Sequence, residues 1–281
     1  MEHIVTKHLI IYLEDNNILY DLQYGFRSKR STETQLLTFV QDVIANLRNN
    51  NQTDVIIMDF AKAFDKVPHK KLVSKLRRYG ITGPLNRWIE SFLAQRVQRV
   101  VCEGEKSSWV PVTSGVPQGS VVGPILFLVY INDLPDGLKS SVRLFADDTI
   151  VYMTVLSEDD AATLQADLDL LIKWEQQWQM EFHPKKCNVL RITKKKNPII
   201  HNYTLHGHIL ETEESSKYLG VTIHHKLSWN EHINNVCKKA NQSIGFLRRN
   251  HQIHQQNIKE NAYKALVRPQ VEYASAVWDP Y

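Results

Sequence analysis

Two adjacent aspartates, Asp147 and Asp148, lie between two short apolar runs, and no other feature constrains the fold of this chain as strongly. The runs, residues 142–145 and 149–153, have the composition of β-strands, so the pair falls at the turn of a predicted hairpin. Acidic residues are depleted from strands, and two crowded carboxylates repel each other unless a cation joins them. The pair therefore indicates either an ordinary exposed turn or a cation site.

A third carboxylate, Asp59, follows another apolar run, residues 55–58, which predicts a buried strand. An unpaired charge at the end of a buried strand is costly, and the alternative is that Asp59 caps the helix that follows. If the two strands lie side by side, the carboxylates converge at one end of a sheet. Oxygen-only ligands favour Mg²⁺ or Mn²⁺ over zinc, and two such ions about 4 Å apart catalyse phosphoryl transfer. The sequence thus predicts formation or cleavage of phosphodiesters.

The composition is that of an ordinary globular protein. The 281 residues include 34 Lys and Arg against 30 Asp and Glu, and this excess is too small to demonstrate a nucleic-acid partner. Cys102, Cys187 and Cys237 are far apart and follow no metal-ligand spacing, as in a reducing compartment. No apolar run reaches the roughly 18–20 residues of a membrane span. We expect a soluble, intracellular protein with no membrane partner.

Helical and strand patterns alternate along the chain. Predicted helices begin at Thr32, Pro68, Trp88, Ile125, Ser157 and His232. Thr32 with Gln35 forms a predicted capping box, and Ser157 is a predicted N-cap. Predicted strands cover residues 55–58, 99–102, 142–145, 149–153, 189–193, 203–210 and 218–223. This order predicts an α+β sheet domain followed, near residue 230, by a mostly helical tail.

A turn-rich loop and an aromatic residue accompany the carboxylates. Three glycines and one proline fall within residues 114–123. Glycine lets the backbone approach a ligand closely. Gln118, at the apex of this loop, offers both a donor and an acceptor. Phe64 lies one helical turn beyond Asp59, where its ring could cover the edge of a sugar. The alternatives are an ordinary turn for the loop and a core position for Phe64.

Five motifs in sequence closely resemble those of the reverse transcriptases of non-LTR (LINE-type) retrotransposons. They are residues 23–27 with Ser31 and Thr32, residues 59–65, residues 114–120, residues 145–148 and residues 217–221. The resemblance covers nearly all of the chain. It implies a right-hand polymerase fold with a palm of antiparallel sheet backed by helices. The implied divisions are partial fingers at 1–54, palm at 55–230 and a helical thumb-like region at 231–281.

The resemblance also implies an activity and its catalytic residues. An RNA-directed DNA polymerase would extend the 3′-hydroxyl of a DNA primer with dNTPs on an RNA template, using two Mg²⁺ or Mn²⁺ ions. Asp59, Asp147 and Asp148 would hold the metals together with the carbonyl of Phe60. Lys186 would protonate the pyrophosphate leaving group, and Lys185 is an equally good candidate by its chemistry.

Further binding residues follow from the same resemblance. Phe64 would exclude a 2′-hydroxyl, and the other implied contacts to nucleotide or template come from Arg27, Arg30, Gln118 and Gly119. Implied contacts to primer or duplex come from Tyr218, Leu219, Gly220, Lys238, Lys239, Arg248 and Arg249. For the last four residues, the alternative is a solvated helix face.

Parts of the family pattern are absent from the sequence. Family members carry a basic fingers motif upstream of the segment that matches residues 23–27, so we expect a chain truncated at its N-terminus. An endonuclease domain and a C-terminal Cys/His cluster are also absent. Two alternatives therefore stand beside the polymerase: an inactive nucleic-acid-binding remnant of the same fold, and a metal-dependent nuclease. Copying RNA at a chromosomal nick would require the nucleus, although the sequence has no clear import signal.

Overall fold

A computed structural model describes residues 1–250 and 256–279 of the chain. The helices are α1 (Glu2–Asp15), α2 (Thr32–Arg48), α3 (Ala63–Lys66), α4 (His69–Arg78), α5 (Gly83–Leu93), α6 (Gly123–Ile131), α7 (Glu158–Trp178), α8 (Asn230–Asn250), α9 (Gln256–Leu266), α10 (Arg268–Glu272) and α11 (Ser275–Trp278). The strands are β1 (Gln52–Met58), β2 (Val97–Gln98), β3 (Val101–Cys102), β4 (Glu105–Lys106), β5 (Val110–Pro111), β6 (Ser141–Phe145), β7 (Asp148–Val155), β8 (Asn188–Ile192), β9 (Thr204–Leu205), β10 (His208–Ile209), β11 (Glu211–Glu213), β12 (Ser215–Tyr218) and β13 (Val221–His224). A 3₁₀ turn spans Pro184–Lys186.

The central sheet has five strands in the order β11-β8-β1-β7-β6. Its pairs are antiparallel except β11 with β8. The pairing of β1 with β7 runs from Gln52 opposite Val155 to Met58 opposite Thr149. Strand β1 is almost completely buried, as expected for a strand in the middle of a sheet that is covered on both faces.

Successive residues of β1 belong to two different cores. Ile56 and Met58 belong to a cluster that includes apolar residues of α4, α6 and α7. Val55 belongs to a second cluster, with α2, the β12–β13 hairpin and residues of α11. Because side chains alternate along a strand, the sheet lies between these two layers. The predicted α+β architecture, an antiparallel sheet backed by helices, is confirmed.

Helix α6 is apolar on all sides. Every residue from Ile125 to Ile131 is buried, which is the pattern of a helix enclosed by the core. The prediction of a packed helix at this run is therefore confirmed. Along the described parts of the chain, no helix has the length and hydropathy that crossing a membrane requires.

The two predicted helix caps have different outcomes. Ser157 caps α7, and Asp160 completes the box by accepting from the backbone of Ser157, as is usual for such a motif. The Thr32–Gln35 box is wrong by one residue, because the N-cap of α2 is Ser31 and its reciprocal partner is Thr34. Gln35 is buried and donates to the hydroxyl of Tyr218, so its amide serves a long-range contact instead.

Two predicted strands are interrupted by tight turns. The predicted strand at 203–210 is the β9–β10 hairpin, which turns at His206 and Gly207 with φ of +52° and +74°. The predicted strand at 218–223 turns at Leu219 and Gly220, between β12 and β13. The first run supplied both arms of a hairpin, whereas the second supplied only Tyr218 of its first arm and residues 221–223 of its second. In both cases glycine at positive φ allowed the chain to reverse.

The end of the chain returns to the sheet domain. Helices α8 to α10 confirm the predicted helical tail, but Ala274 and Val277, at α11, belong to the core that contains α2. The Trp278 ring packs edge-on against His232 at 5.4 Å between centroids, close to the start of α8. Helix α2, placed in the predicted fingers, also packs on the sheet. The three domain boundaries stay predictions.

Lys75 is a cation in the core. Only 1% of it is exposed, and its Nζ lies 2.5 Å from Asp133 Oδ1 and 3.6 Å from the centroid of the Trp178 ring. It also donates to the carbonyl of Tyr130. Burial lowers the pKa of Lys75 from 10.5 to about 8, against the opposing attraction of Asp133. This side chain thus ties α4 to α6 and α7.

Replacing Lys75 with alanine should lower the free energy of unfolding by about 3 kcal/mol, because Asp133 loses its partner in the core. Urea denaturation measures the change. The control is Lys70→Ala, at an exposed position on the same helix, whose free energy of unfolding should stay within about 0.5 kcal/mol of that of wild type.

The stability should also depend on pH. Since the folded pKa of Lys75 is depressed, the unfolded chain binds more protons than the folded chain between pH 8 and 10.5. Wild type should therefore gain stability relative to Lys75→Ala over that range. Equal losses of unfolding free energy in Lys75→Ala and Lys70→Ala would contradict this account of Lys75.

Candidate active site

The register of β1 and β7 brings three carboxylates to one end of the sheet. Met58 is the last residue of β1 paired with β7, opposite Thr149, so Asp59 and Asp148 occupy the next facing positions. Asp147 lies in the turn between Phe145 and Asp148, which pair across the β6–β7 hairpin. Asp147 is half-buried, and Asp148 is exposed. The structure thus places the three carboxylates at the same end of the sheet, as the sequence predicts.

The carboxylates perturb one another. Solvent reaches Asp148, yet the protein around its carboxyl removes enough water to raise the pKa, and the charges of Asp147 and Asp59 bring it to about 6. Desolvation also raises the pKa of Asp147, with a further contribution from Asp59. The site therefore carries more negative charge than its surroundings neutralise, as expected of a cation site.

A backbone bridge brings Lys186 to Asp59. The N–H of His183 donates to the carbonyl of Asp59 at 2.8 Å, and the N–H of Ala61 donates to the carbonyl of Glu181 at 2.8 Å. The 3₁₀ turn that follows places Lys186 Nζ 3.5 Å from Asp59 Oδ1. The structure thus brings Lys186 to the carboxylates, and the choice between Lys186 and Lys185 as an acid stays a prediction.

The donors of this site fit a hard divalent cation in their chemistry. The three carboxylates are an oxygen-only set, and the carbonyl of Phe60, whose ring stacks on Phe182 at 4.1 Å between centroids, stays a predicted further ligand. Within residues 1–250 and 256–279, no three His, Cys, Asp or Glu side chains converge at ligand distances. Asp59 is instead paired with Lys186, so metal binding would require these side chains to reorient.

Phe64 packs against the core and is partly accessible. Its ring stacks on Phe127 at 4.4 Å between centroids, and Phe26 meets it edge-on at 6.4 Å. Phe64 remains half-buried on the short helix α3, while Phe26 is exposed. The ring is therefore packed against the core yet partly accessible, and its role in excluding a 2′-hydroxyl stays a prediction.

The glycine-rich loop is docked on the segment that carries Phe64. Gly115 donates to the carbonyl of Val67 and Val116 donates to the carbonyl of Phe64, both at 2.8 Å. Gly115 has φ of +90°, and a Cβ there would lie 2.8 Å from the carbonyl oxygen of Asp65. Only glycine fits this backbone contact.

The apex of this loop is accessible. Gln118 and Gly119 are exposed, and Gly119 has φ of +82°. Gln118 Nε2 donates to Asp65 Oδ1 at 3.0 Å, which places the amide beside the residue that follows Phe64. The structure thus brings Phe64, Gln118 and Gly119 together, and their nucleotide-binding roles stay predictions.

The two predicted fingers arginines make contacts within the protein. Arg27 donates to the carbonyl of Tyr20 at 3.0 Å and lies 3.6 Å from Glu14, with 10% of its side chain exposed. Arg30 donates to the carbonyl of Gln23 at 3.3 Å and remains partly exposed. In this conformation Arg27 therefore supports the N-terminal segment, and the nucleotide-binding roles of both residues stay predictions.

In the predicted primer-contacting hairpin, β12–β13, the side chain of Tyr218 is buried, and only the tip is available for contacts. Tyr218 is 2% exposed, and its hydroxyl accepts from Gln35. The tip is formed by Leu219 and Gly220, and the hydroxyl of Tyr273 donates to the carbonyl of Leu219 at 2.8 Å. A primer contact by the Tyr218 side chain is therefore not available in this conformation, while the backbone of the tip stays a candidate.

The four predicted basic residues of the tail all lie on α8. Lys238, Lys239, Arg248 and Arg249 are exposed. Helix α8 is amphipathic, with Ala240 buried near its middle. Both interpretations, a surface for the phosphates of a duplex and a solvated face, agree with this placement.

Sequence reasoning gave no role to Gln23 and Gly25, although both contact the Asp147–Asp148 turn. Gln23 Oε1 accepts from the N–H of Gly25 at 2.8 Å and from the N–H of Ala146 at 2.9 Å. The only signal in the sequence was the family motif that contains both residues. No local pattern pairs residue 23 with residue 146.

Solved structures with the same fold include telomerases. The chain is similar to apo telomerase from Candida tropicalis, with a TM-score of 0.57, 12% identity, and coverage of 82% of this chain and 40% of the telomerase chain. It is also similar to telomerase from Candida albicans in complex with a fragment of telomeric RNA, with a TM-score of 0.54, 10% identity, and coverage of 99% and 48%. At this identity the likeness shows the fold alone.

Similar proteins come from mobile elements. The chain is 30% identical to the RNA-directed DNA polymerase from mobile element jockey of Drosophila melanogaster, over 99% of this chain and 31% of that protein. It is 24% identical to the Pol polyprotein of the type-1 retrotransposable element R2 of Popillia japonica, over 60% of this chain and 30% of that protein. The chain therefore spans about a third of the length of these relatives. The family model for reverse transcriptase (RNA-dependent DNA polymerase) matches residues 1–223. The resemblance is thereby confirmed: the chain belongs to the reverse transcriptase family, with relatives among the non-LTR retrotransposons.

Proposed function

We propose that this chain is the polymerase core of an RNA-directed DNA polymerase that extends the 3′-hydroxyl of a DNA primer with dNTPs on an RNA template. The observation that carries the proposal is the β1–β7 register, which sets Asp59 beside the Asp147–Asp148 turn. The raised pKa values of Asp147 and Asp148 support it, because desolvation and the neighbouring carboxylates both disfavour the ionised form, which a cation would stabilise.

Two Mg²⁺ or Mn²⁺ ions complete the proposed site. Asp59, Asp147 and Asp148 would hold them, together with the carbonyl of Phe60. When bound, such ions activate the attacking hydroxyl and neutralise the leaving pyrophosphate. Lys186, already within 3.5 Å of Asp59, would donate a proton from Nζ to that leaving group.

The surrounding residues would select the nucleotide. The accessible edge of Phe64 would meet the sugar at C2′ and exclude a ribose hydroxyl, and Gln118 and Gly119 would contact the template and the incoming nucleotide. Pairing with the RNA template would choose the base, so the protein needs to recognise only shape and backbone. Copying of RNA at a chromosomal nick would place this activity in the nucleus, a proposal that rests on the family alone.

Replacing Asp147 with asparagine should reduce primer extension at least about 10³-fold, or roughly 4 kcal/mol in the barrier, because the metal site loses a charged ligand. The measurement is extension of oligo(dT) on poly(rA) with Mg²⁺ or Mn²⁺. Asp159→Asn, at an exposed carboxylate in the first turn of α7, is the matched control and should remain active. Chelation of the metal should abolish extension by wild type.

Two results would favour the alternatives. If wild type makes no more product than Asp147→Ala/Asp148→Ala, the polymerase proposal fails. Retained binding of an RNA–DNA hybrid would then indicate a nucleic-acid-binding remnant. Cleavage of a labelled hybrid with Mn²⁺, lost in Asp59→Ala, would indicate a nuclease instead.

Asp148→Asn should stabilise the metal-free protein at pH 7.5, raising Tm by ~1–3 °C, a small gain because solvent screens the exposed carboxyl. The folded pKa of Asp148 is raised from 3.8 to about 6, so its ionisation weakens the folded state as pH rises through this range. The gain should therefore vanish near pH 4, where wild type is protonated. Thermal unfolding at both pH values measures it.

Added Mg²⁺ provides the control for that experiment. It should raise the Tm of wild type, because it binds only the folded chain, and should raise the Tm of Asp148→Asn less. Asp159→Asn should show neither a gain in Tm nor a loss of the Mg²⁺ response. A lower Tm for Asp148→Asn at pH 7.5 would contradict the account of the charges.

Phe64→Ala should increase incorporation of ribonucleotides relative to deoxynucleotides by about tenfold or more, which corresponds to roughly 1.4 kcal/mol of lost steric discrimination. Single-nucleotide extension with dNTP and rNTP measures the ratio of kcat/KM values. Trp109→Ala, at an exposed aromatic before β5, is the control and should leave the ratio unchanged. An unchanged ratio for Phe64→Ala would remove Phe64 from its proposed role.

A further inference from the structure

The turn that carries the carboxylates has an unusual backbone. Ala146 adopts φ of +53°, a conformation that an L-residue other than glycine enters at a cost of roughly 1–2 kcal/mol. It is also 5% exposed, so its peptide group needs a partner within the protein. The position of Asp147 and Asp148 therefore depends on whatever holds this peptide group.

Gln23 provides that partner. The side-chain oxygen of Gln23 accepts from the N–H of Ala146 at 2.9 Å and from the N–H of Gly25 at 2.8 Å. Gln23 is 2% exposed, and its Nε2 is buried with no hydrogen-bond partner among the described residues. The amide thus acts through its oxygen alone, as an acceptor shared by two backbone N–H groups.

The backbone around Gln23 is fixed independently of this side chain. Leu144 donates to the carbonyl of Leu22 at 3.0 Å, and the N–H of Tyr24 donates to the carbonyl of Leu144 at 2.8 Å. Residues 22–24 therefore extend the sheet beyond β6, with Gln23 bridged to Leu144 in parallel. This pairing holds the Gln23 oxygen at one place relative to the hairpin.

Gly25 allows the two backbones to meet. A Cβ at Gly25 would lie 2.3 Å from the backbone nitrogen of Ala146, a distance that no side chain can occupy. The φ of Gly25 is not positive, so the glycine serves close approach rather than an unusual backbone angle. Residues 23–25 and the carboxylate turn thus form one packed unit.

We propose that Gln23 is a positioning residue for the catalytic carboxylates: its Oε1 holds the Ala146 peptide and thereby sets where Asp147 and Asp148 point. The proposal rests on the polymerase function proposed above. Residues that orient metal ligands without touching the metal typically affect metal affinity or activity 10–100-fold. Without the acceptor, the Ala146 peptide loses its partner and the turn can relax, which moves both carboxylates.

A buried glutamine elsewhere offers a matched control. Gln52 is also inaccessible, and its Oε1 likewise accepts a backbone N–H, that of Ile199 at 2.9 Å. It lies at the opposite end of β1 from Asp59, about 20 Å away at the rise of a strand. Gln52→Met therefore reports the cost of losing a buried amide without touching the carboxylate turn.

The experiment compares Gln23→Met, Gln23→Glu and Gln52→Met in the full chain. Hydrogen exchange at the amide of Ala146 reads the contact directly, electron paramagnetic resonance reads Mn²⁺ affinity, and primer extension gives kcat and KM. For Gln23→Met we expect at least about tenfold faster exchange at Ala146, about tenfold weaker Mn²⁺ binding and a 10–100-fold lower kcat. The KM for dNTP should change less than about threefold.

The other two variants separate positioning from stability. Gln52→Met should lose at least as much stability in urea, because Gln52 Nε2 also donates to Asp54 Oδ1 and to the carbonyl of Ile199. It should nevertheless keep wild-type exchange at Ala146, Mn²⁺ affinity and kcat. Gln23→Glu should recover much of the kcat and Mn²⁺ affinity, because a buried glutamic acid in its neutral form keeps one acceptor oxygen. If Gln23→Met does not fold, Gln23→Asn replaces it with the same expectations, because it keeps a polar amide but is one methylene shorter, which withdraws the acceptor from the N–H of Ala146.

The outcomes distinguish this proposal from the polymerase proposal. A chain that extends no primer contradicts the polymerase function, while exchange at Ala146 and Mn²⁺ affinity still decide whether Gln23 holds the carboxylate turn. An active chain in which Gln23→Met matches Gln52→Met in kcat and Mn²⁺ affinity would overturn the positioning role. Unchanged exchange at Ala146 would overturn the contact itself.

Discussion

The antiparallel pairing of β1 with β7 is the contact on which the rest of this molecule depends. It places Ile56 and Met58 in one core and Val55 in the other, and the same pairing places Asp59 beside Asp148. A shift by one residue would exchange the two faces of β1 and move Asp59 away from the hairpin turn. The apolar side chains that stabilise the sheet therefore also enforce the geometry of the candidate site.

The distribution of partners among the acidic residues separates structure from function. Asp133 is paired with Lys75, and Asp42 lies 2.7 Å from Arg143, which joins α2 to the sheet. Among the described residues, the charged neighbours that shift the pKa of Asp148 are Asp147 and Asp59, and the one that shifts the pKa of Asp147 is Asp59, so none of them is a cation. The fold thus neutralises acids where they serve packing and leaves a surplus of charge at one end of the sheet, where a ligand can use it.

Local patterns predicted what local physics determines. The aspartate pair between apolar arms, the all-apolar run of α6 and the Ser157 cap are each specified by residues a few positions apart, and the structure contains all three. Long-range contacts decided the rest. The amide of Gln35 donates to the hydroxyl of Tyr218 instead of completing the predicted cap. Gln23 accepts from Ala146, which is too distant in sequence for any local pattern to pair the two residues. The broken strand at residues 203–210 shows a third limit, because an apolar run does not reveal where a hairpin turns.

The return of the chain end to the sheet domain restricts how the helical tail can move. Tyr273 contacts the tip of the β12–β13 hairpin, Trp278 packs on His232, and the α11 region shares a core with α2. Helices α8 and α9 therefore lie between two points of attachment to the rest of the protein, and α9 buries none of its residues. A segment held at two points can rotate about the line that joins them but cannot swing away. A rigid-body movement of this segment would then be a rotation about one axis, with the exposed basic residues of α8 moving along an arc.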